Sequence, residues 1–221
     1  MFSNKERKLE RLHSELDDTL SVNSYNLVLG GCVLYGILMN IITVLLFSPI
    51  IIEMNPIIII IGYLISCILG TIITRSSNPI VSFVGYNLIA VPIGILLSVC
   101  LPSYAFNDII FSISLTGIIV LVMIFLSTMF PSFFSKLGRT LCISLLCIII
   151  VELISILLGF RGTIFDYIIV GIFSLYVGYD WYKAQMYPKT LDNAIDSAMD
   201  IYLDIINLFI RILSIISRKD D

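Results

Sequence analysis

Long apolar stretches with few polar interruptions dominate the chain. A helix that crosses a membrane needs about 20 largely apolar residues. Six stretches approach or exceed this length, and short polar segments or proline-containing pairs separate several of them. The pattern therefore predicts six membrane-spanning helices, at about 27–50, 56–74, 80–101, 109–130, 140–159 and 164–181.

A seventh segment, at 194–216, combines apolar residues with one regular polar series. On a helix, the polar residues of this series fall in a single stripe: Asp196, Asp200, Asp204, Asn207 and Arg211. Such a stripe is typical of an amphipathic helix on the membrane surface. It also fits a seventh spanning helix whose stripe faces a polar interior. We favour the spanning helix, because the part from 201 to 216 contains only two charged residues.

The composition agrees with a membrane protein. Hydrophobic residues make up 58% of the 221 residues and charged residues only 13%, whereas ordinary globular domains are about 45–50% apolar and about 25% charged. The sequence thus predicts an all-α polytopic membrane protein with seven transmembrane helices, the last enclosed by the other six. The net charge of −3 argues against a nucleic-acid partner. The single histidine, His13, argues against histidine metal sites and Ser-His-Asp triads.

Cysteines and glycines within the predicted spans have packing roles in this interpretation. The five cysteines all lie in spans and show no ligand spacing, so we expect them to act as small apolar residues. Several glycines are expected to allow helices to approach closely: Gly30, Gly31, Gly94 and Gly117.

The basic residues predict the orientation. We divide the chain into an N-terminal helical tail (1–23), a seven-helix transmembrane domain (24–217) and a C-terminal tail (218–221). The tail at 1–23 fits either a solvated extension of the first span or a helix resting on the inner leaflet. With the N-terminus in the cytoplasm, the outer segments hold only Arg161, Arg218 and Lys219. The inner segments then hold nine basic residues: Lys5, Arg7, Lys8, Arg11, Arg75, Lys136, Arg139, Lys183 and Lys189.

This bias favours a cytoplasmic N-terminus and an external C-terminus, because cytoplasmic loops carry the excess of Lys and Arg. The isoleucine-rich composition suggests an AT-rich genome and thereby a bacterial plasma membrane.

Ionisable residues inside the predicted spans are the main functional candidates. Burying one costs about 2.5–3.5 kcal/mol on insertion scales, so such residues generally have a function. Here they are Glu152, Asp180, Asp204 and Arg211, with Arg75 at the inner edge of the second span. Asp180 also fits an ordinary helix-end position in the headgroup region. Two neighbouring carboxylates in a low-dielectric site share a proton or recruit a cation, and Arg75 could neutralise one of them. Glu152 needs a partner, for which Arg211 is a candidate.

Two segments resemble a known family. Residues 172–185 read IFSLYVGYDWYKAQ and resemble the sixth-helix signature of the transmembrane Bax-inhibitor-motif family. Residues 192–213 read DNAIDSAMDIYLDIINLFIRIL and resemble its final-helix signature. Bacterial members form seven-helix folds with an enclosed last helix. They are described as pH-sensitive calcium leak channels gated by an aspartate pair.

The resemblance assigns the aspartate pair to Asp180 and Asp204, and the arginine that engages the first aspartate to Arg75. The chain departs from the family pattern in two places. Its second predicted span lacks the acidic residue that some members carry, and its inner loop after that span has one arginine only.

The leading hypothesis is a pH-sensitive calcium leak channel without a cofactor, whose ligands are calcium ions and protons in a lipid bilayer. Calcium prefers oxygen ligands. Asp180 and Asp204 would bind it transiently, and further pathway candidates are Asp196, Asp200, Asn207 and Glu152.

Two other functions fit parts of the sequence. One is a non-conducting membrane regulator that binds other membrane proteins, such as a quality-control protease or a cell-death partner. The other is an intramembrane aspartyl protease, which we disfavour because residues 202–204 lack the Gly-x-Gly-Asp sequence of that class. We therefore expect no enzymatic activity.

Overall fold

The computed structural model describes residues 19–51, 54–74, 76–157 and 163–218, and every regular element in these ranges is helical. The all-α prediction is therefore confirmed. A 3-10 turn, Leu101–Ser103, follows the third helix directly. The eight α-helices in the described ranges are α1 Val22–Ile51, α2 Pro56–Ile73, α3 Pro79–Cys100, α4 Phe106–Met129, α5 Pro131–Phe134, α6 Leu137–Leu157, α7 Thr163–Met186 and α8 Leu191–Ser217.

Each predicted segment corresponds to one long helix, and the single-turn helix α5 is the element that the pattern missed. Five helices are long and apolar enough to cross a membrane: α1, α3 with its 3-10 turn, α4, α6 and α7. The apolar part of α2, Ile57–Ile73, is shorter than these. The chain is thus an integral, multi-pass membrane protein. Arg75 and most of the tail at 1–23 lie outside the described residues.

Asparagine-proline pairs begin two of the helices. The side chain of Asn55 accepts a hydrogen bond from the backbone N–H of Ile57, and Asn78 does the same for Ile80, both at 2.9 Å. A proline follows each asparagine at the first helical position, where its missing N–H is not needed. The asparagine satisfies one of the free N–H groups at the helix start. These contacts explain why the spans begin where the sequence predicts.

Two compact units make up the chain. The first contains residues 1–103 and 186–202, and within it α3 packs against both α1 and α2. Glycines permit the contact between α2 and α3, since a methyl group on Gly70 would lie 2.8 Å from the carbonyl oxygen of Gly85. The prediction for Gly94 is also confirmed, because a methyl group there would crowd Thr43 of α1. It is wrong for Gly30, Gly31 and Gly117, which have nothing within 4 Å of an added methyl group.

The second unit contains residues 104–185 and 203–221. The short helix α5 contributes a buried side chain, Phe134, which packs with Met123 of α4 and Val177 of α7. The ring of Phe134 lies directly against Gly178. In addition, the Ser127 hydroxyl of α4 donates to the Gly178 carbonyl at 2.6 Å. These contacts fix the part of α7 that leads to Asp180.

Most of α8 is buried. Only Leu191, Asn207 and Ile210 are exposed among its 27 residues, all of which the structure describes. The helix belongs to the first unit up to Tyr202 and to the second unit from Leu203 onward. In its polar stripe, two residues are buried, Asp196 and Asp204, while Asp200 and Arg211 are partly buried and Asn207 is exposed.

Candidate functional site

Buried acidic residues concentrate on α7 and α8. Among the residues predicted to form the site, three aspartates are buried, each less than 8% exposed: Asp180, Asp196 and Asp204. Asp200 is partly buried. Asp196 and Asp200 belong to the first unit, whereas Asp180 and Asp204 belong to the second.

Asp180 and Asp204 are both buried in the second unit. Val177 of α7, three residues before Asp180, belongs to a buried apolar cluster. Ile205, next to Asp204 on α8, packs on the cluster that contains Val177 of α7. The two predicted gating aspartates are therefore in the same part of the unit, although they come from different helices.

A lysine pairs with the first of these aspartates. The Lys183 ammonium donates to Asp180 Oδ1 at 2.7 Å, and it lies 5.5 Å from the ring centroid of Tyr179. A cation at this distance favours the ionised form of the carboxylate. This contact was not predicted from the sequence. The spacing of three residues on one helix is the signal that could have revealed it.

A second ionic cluster joins α6, α7 and α8. Both terminal nitrogens of Arg211 donate to the Glu152 carboxylate, at 2.7 and 2.9 Å. One of them also donates to Asp166 at 2.9 Å, and Arg218 donates to the other oxygen of Asp166 at 2.7 Å. Two acids are thus balanced by two arginines, and the suggested partnership of Glu152 with Arg211 is confirmed. We missed Asp166, although it was the one charge near the start of the sixth predicted span.

The start of α8 forms a further polar cluster in the first unit. Ser82 of α3 donates to the Asp192 carboxylate at 2.6 Å, and the Tyr25 hydroxyl of α1 donates to the Asn193 carbonyl at 3.4 Å. The Lys189 ammonium lies 4.5 Å from the Tyr25 ring centroid. Partial burial in the connection between α7 and α8 lowers the pKa of Lys189. The backbone N–H of Leu20 donates to the Lys189 carbonyl at 2.7 Å, which ties the beginning of α1 to this connection.

Asn207 does not join the buried aspartates. It is exposed, and its amide donates to the Leu203 carbonyl on its own helix at 2.8 Å. Across the described ranges, no three histidine, cysteine or acidic side chains form a group that could hold a metal ion.

Comparisons with known proteins place the chain in a family. Uncharacterized proteins from two strains of Helicobacter pylori are 35% identical to it over 91 residues, which is 39% of this chain and 38% of each relative. The matched segment therefore spans well under half the length of these relatives. The profile of the family described as "Inhibitor of apoptosis-promoting Bax1" matches residues 19–221. This match covers nearly the whole chain, so the protein belongs to the Bax inhibitor family.

Proposed function

We propose that the protein is a passive, pH-sensitive leak channel for calcium ions, gated by Asp180 and Asp204. The observation that supports this most is that two carboxylates from different helices, Asp180 and Asp204, are both buried in the second unit beside one packed apolar cluster. Ionisable groups within membrane helices are costly and mark ion or proton pathways. Membership in the Bax inhibitor family fits this function.

The gate works through a proton that the two aspartates share. At low pH the shared proton holds the carboxylates together and the pathway is closed. When the proton leaves, the two like charges must separate or bind a cation. The leak therefore grows from acid toward neutral pH. Lys183, at 2.7 Å from Asp180, competes with the cation for that carboxylate. By the family resemblance, Arg75 is a second competitor.

We further propose that the chain has seven spans. In this arrangement α2 and α8 also cross the membrane, and α8 is enclosed by the other six helices. The burial of 17 of the 27 residues of α8 supports its enclosure. We place the N-terminus in the cytoplasm and the protein in a bacterial plasma membrane. The pathway approaches Asp204 past Asp200 and Asp196, one and two turns before it on α8. No cofactor and no chemical transformation are needed.

The test is calcium flux into liposomes that contain the purified full chain, measured with a trapped calcium dye from acid to neutral pH. Wild type should leak more as the pH rises. Asp180→Asn and Asp204→Asn should each flatten this dependence, and the double variant should resemble the singles because the two residues act as one unit. Arg75→Ala should raise the leak at low pH by removing a competing partner.

Asp108→Asn is the matched control, since Asp108 lies in the first turn of α4, away from the aspartate pair in sequence, and its replacement should leave the profile unchanged. If both single variants keep the wild-type pH dependence of the calcium leak, Asp180 and Asp204 do not form the gate. If the wild-type protein carries no calcium at any pH, the non-conducting regulator becomes the better hypothesis.

A further inference from the structure

The short helix α5 and the turn after it lie at one face of the membrane. Residues 130–136 join α4 to α6, and both of these helices are long and apolar enough to cross a bilayer. A connection this short stays at the boundary between lipid and water. At the same end of the unit, the indole N–H of Trp181 on α7 donates to Thr128 Oγ1 of α4 at 3.3 Å. Tryptophan is enriched at that boundary, which agrees with this placement.

Packing against α7 fixes how the connection is presented. The Phe134 side chain of α5 is 2% exposed, and its ring lies against Gly178. At the start of α6, a methyl group added to Gly138 would overlap the Tyr179 hydroxyl, so α6 and α7 are in close contact there. The neighbouring Phe133 is 53% exposed. Because α5 is held in place by Phe134, Phe133 presents an apolar ring at the surface of the unit.

Two exposed cations, Lys136 and Arg139, follow this ring. Neither forms an ion pair with an acid in the described ranges. The sequence has no Asp or Glu from 109 to 151, so no acid nearby in the chain neutralises them. A spacing of three residues in a helical turn brings two side chains close together. Lys183, at the same end of α7, differs from them because Asp180 balances its charge.

We propose that Lys136 and Arg139 bind the phosphate group of one anionic phospholipid, whose acyl chains cover Phe133. The occupant must combine a negative charge with an apolar body, because two unbalanced cations lie beside an exposed aromatic ring. Arginine and lysine are the usual partners of phosphate oxygens in proteins. In the orientation proposed above, the site faces the cytoplasmic leaflet, which carries the anionic lipids.

The chemistry selects an anionic lipid over two other occupants. A zwitterionic lipid also has a phosphate, but its own ammonium group cancels the charge. A free phosphate ion has no apolar part to cover Phe133. Attraction to an anionic surface is worth about fivefold in affinity for each basic residue, and salt screens part of it. We therefore expect phosphatidylglycerol to be preferred over phosphatidylcholine by about tenfold.

Trp181 provides the measurement, because it is the single tryptophan of the chain. The full chain is reconstituted in phosphatidylcholine with brominated acyl chains, which quench tryptophan fluorescence on contact. Unbrominated phosphatidylglycerol is then mixed in, and fluorescence recovers as this lipid replaces the quencher beside Trp181. Unbrominated phosphatidylcholine gives the reference curve. Phe133→Trp in a chain with Trp181→Phe moves the reporter to the site itself.

Charge removal should abolish the preference for phosphatidylglycerol. Lys136→Gln and Arg139→Gln should each lower it several-fold, and the double variant should bring it close to one. Lys136→Arg is the matched control, because it keeps the charge and should keep the preference. Arg218→Gln removes a cation elsewhere in the unit. Its partner Asp166 precedes Trp181 by 15 residues of α7, or about 22 Å, so this variant should not change the preference.

The outcomes distinguish the lipid site from its alternatives. Equal recovery curves for the two lipids in wild type, or an unchanged preference in the double variant, would overturn the site. An equal loss in Arg218→Gln would mean that the overall charge of the protein attracts the lipid. A preference removed by millimolar inorganic phosphate would mean that the cations bind a free anion. The site does not depend on the proposed leak, since the lipid preference is measured without calcium.

Discussion

Arg211 of α8 and Glu152 of α6 form a bidentate ion pair, in which each terminal nitrogen of the arginine donates to one carboxylate oxygen, at 2.7 and 2.9 Å. The planar guanidinium matches the carboxylate in this geometry, which strengthens both hydrogen bonds. Each charge alone would be expensive among the apolar residues of its helix. The pair therefore explains how α6 and α8 can each carry a charged residue within a predicted span.

Replacing Arg211 should destabilise the protein, because Glu152 would then keep its charge without its main partner. Breaking a buried pair costs about 3–5 kcal/mol. Since the side chains of Arg211 and Glu152 are 30% and 28% exposed, we expect a smaller loss for Arg211→Met, of about 1–3 kcal/mol. Thermal unfolding in detergent measures the effect.

Arg218→Met is the matched control, because Arg218 is 44% exposed and Asp166 is the one acid that it contacts among the described residues. Its effect should be clearly smaller. Adding Glu152→Leu to Arg211→Met should restore part of the lost stability, since it removes the carboxylate left behind. In that double variant, Asp166 still has Arg218 as its ion-pair partner. Equal melting temperatures for Arg211→Met and wild type would show that the pair contributes nothing to folding.

The positions of the helices could be predicted from the sequence, whereas this pairing could not. Apolar stretches and Asn-Pro starts are local signals, so they locate each helix within a few residues. Glu152 and Arg211 are 59 residues apart, and their contact depends on how α6 and α8 are rotated and aligned. Composition does not specify that alignment. The Lys183–Asp180 contact is local, and a systematic check of residues three apart would have found it.

The contacts of the buried Asn40 amide could not be predicted from the sequence either. In the sequence it is one asparagine in an apolar run. Its partner Tyr202 is 162 residues away, and a methyl group added to Gly94, on a third helix, would lie only 3.1 Å from its Oδ1. The glycines at 30, 31 and 117 looked equivalent to Gly94 in the sequence, but only the packing of α1 against α3 gives Gly94 its close contacts.

Substitutions at Asp204 should separate loss of charge from reversal of charge. Asp204 is buried, so Asp204→Asn removes a costly charge and should leave the folded protein intact or more stable. Asp204→Lys places a longer cation in the same enclosed position and should reduce the yield of folded protein. Size-exclusion profiles and melting temperatures in detergent measure both effects. A lysine variant as stable as wild type would mean that residue 204 faces water.

The ion pair between Lys183 and Asp180 should set the pH at which the leak opens. The ammonium at 2.7 Å favours the ionised carboxylate. Without it, the aspartate pair should keep its shared proton to a higher pH, so Lys183→Met should move the half-maximal leak upward in pH. Lys136→Met, at an exposed position between α5 and α6, is the control. A downward shift would show that Lys183 mainly keeps the pathway closed, by competing with calcium for Asp180.

The orientation of the chain gives the last prediction, because it decides which solution protonates the aspartate pair. Nine basic residues fall in the segments that we place inside and three in those that we place outside, and this bias orients membrane proteins. With seven spans, the two termini must lie on opposite sides.

A cysteine-containing tag after Asp221 should therefore react with an impermeant thiol reagent on intact cells, and the same tag before Phe2 should react only after lysis. The native cysteines are removed beforehand by Cys→Ala changes, so that the tag alone reports. If both tags react only after lysis, the number of crossings is even, which contradicts seven spans and favours a last segment that lies on the membrane surface or re-enters it. Asp204 would then be reached from the cytoplasmic side alone, which is incompatible with a pathway that runs past it to the outside.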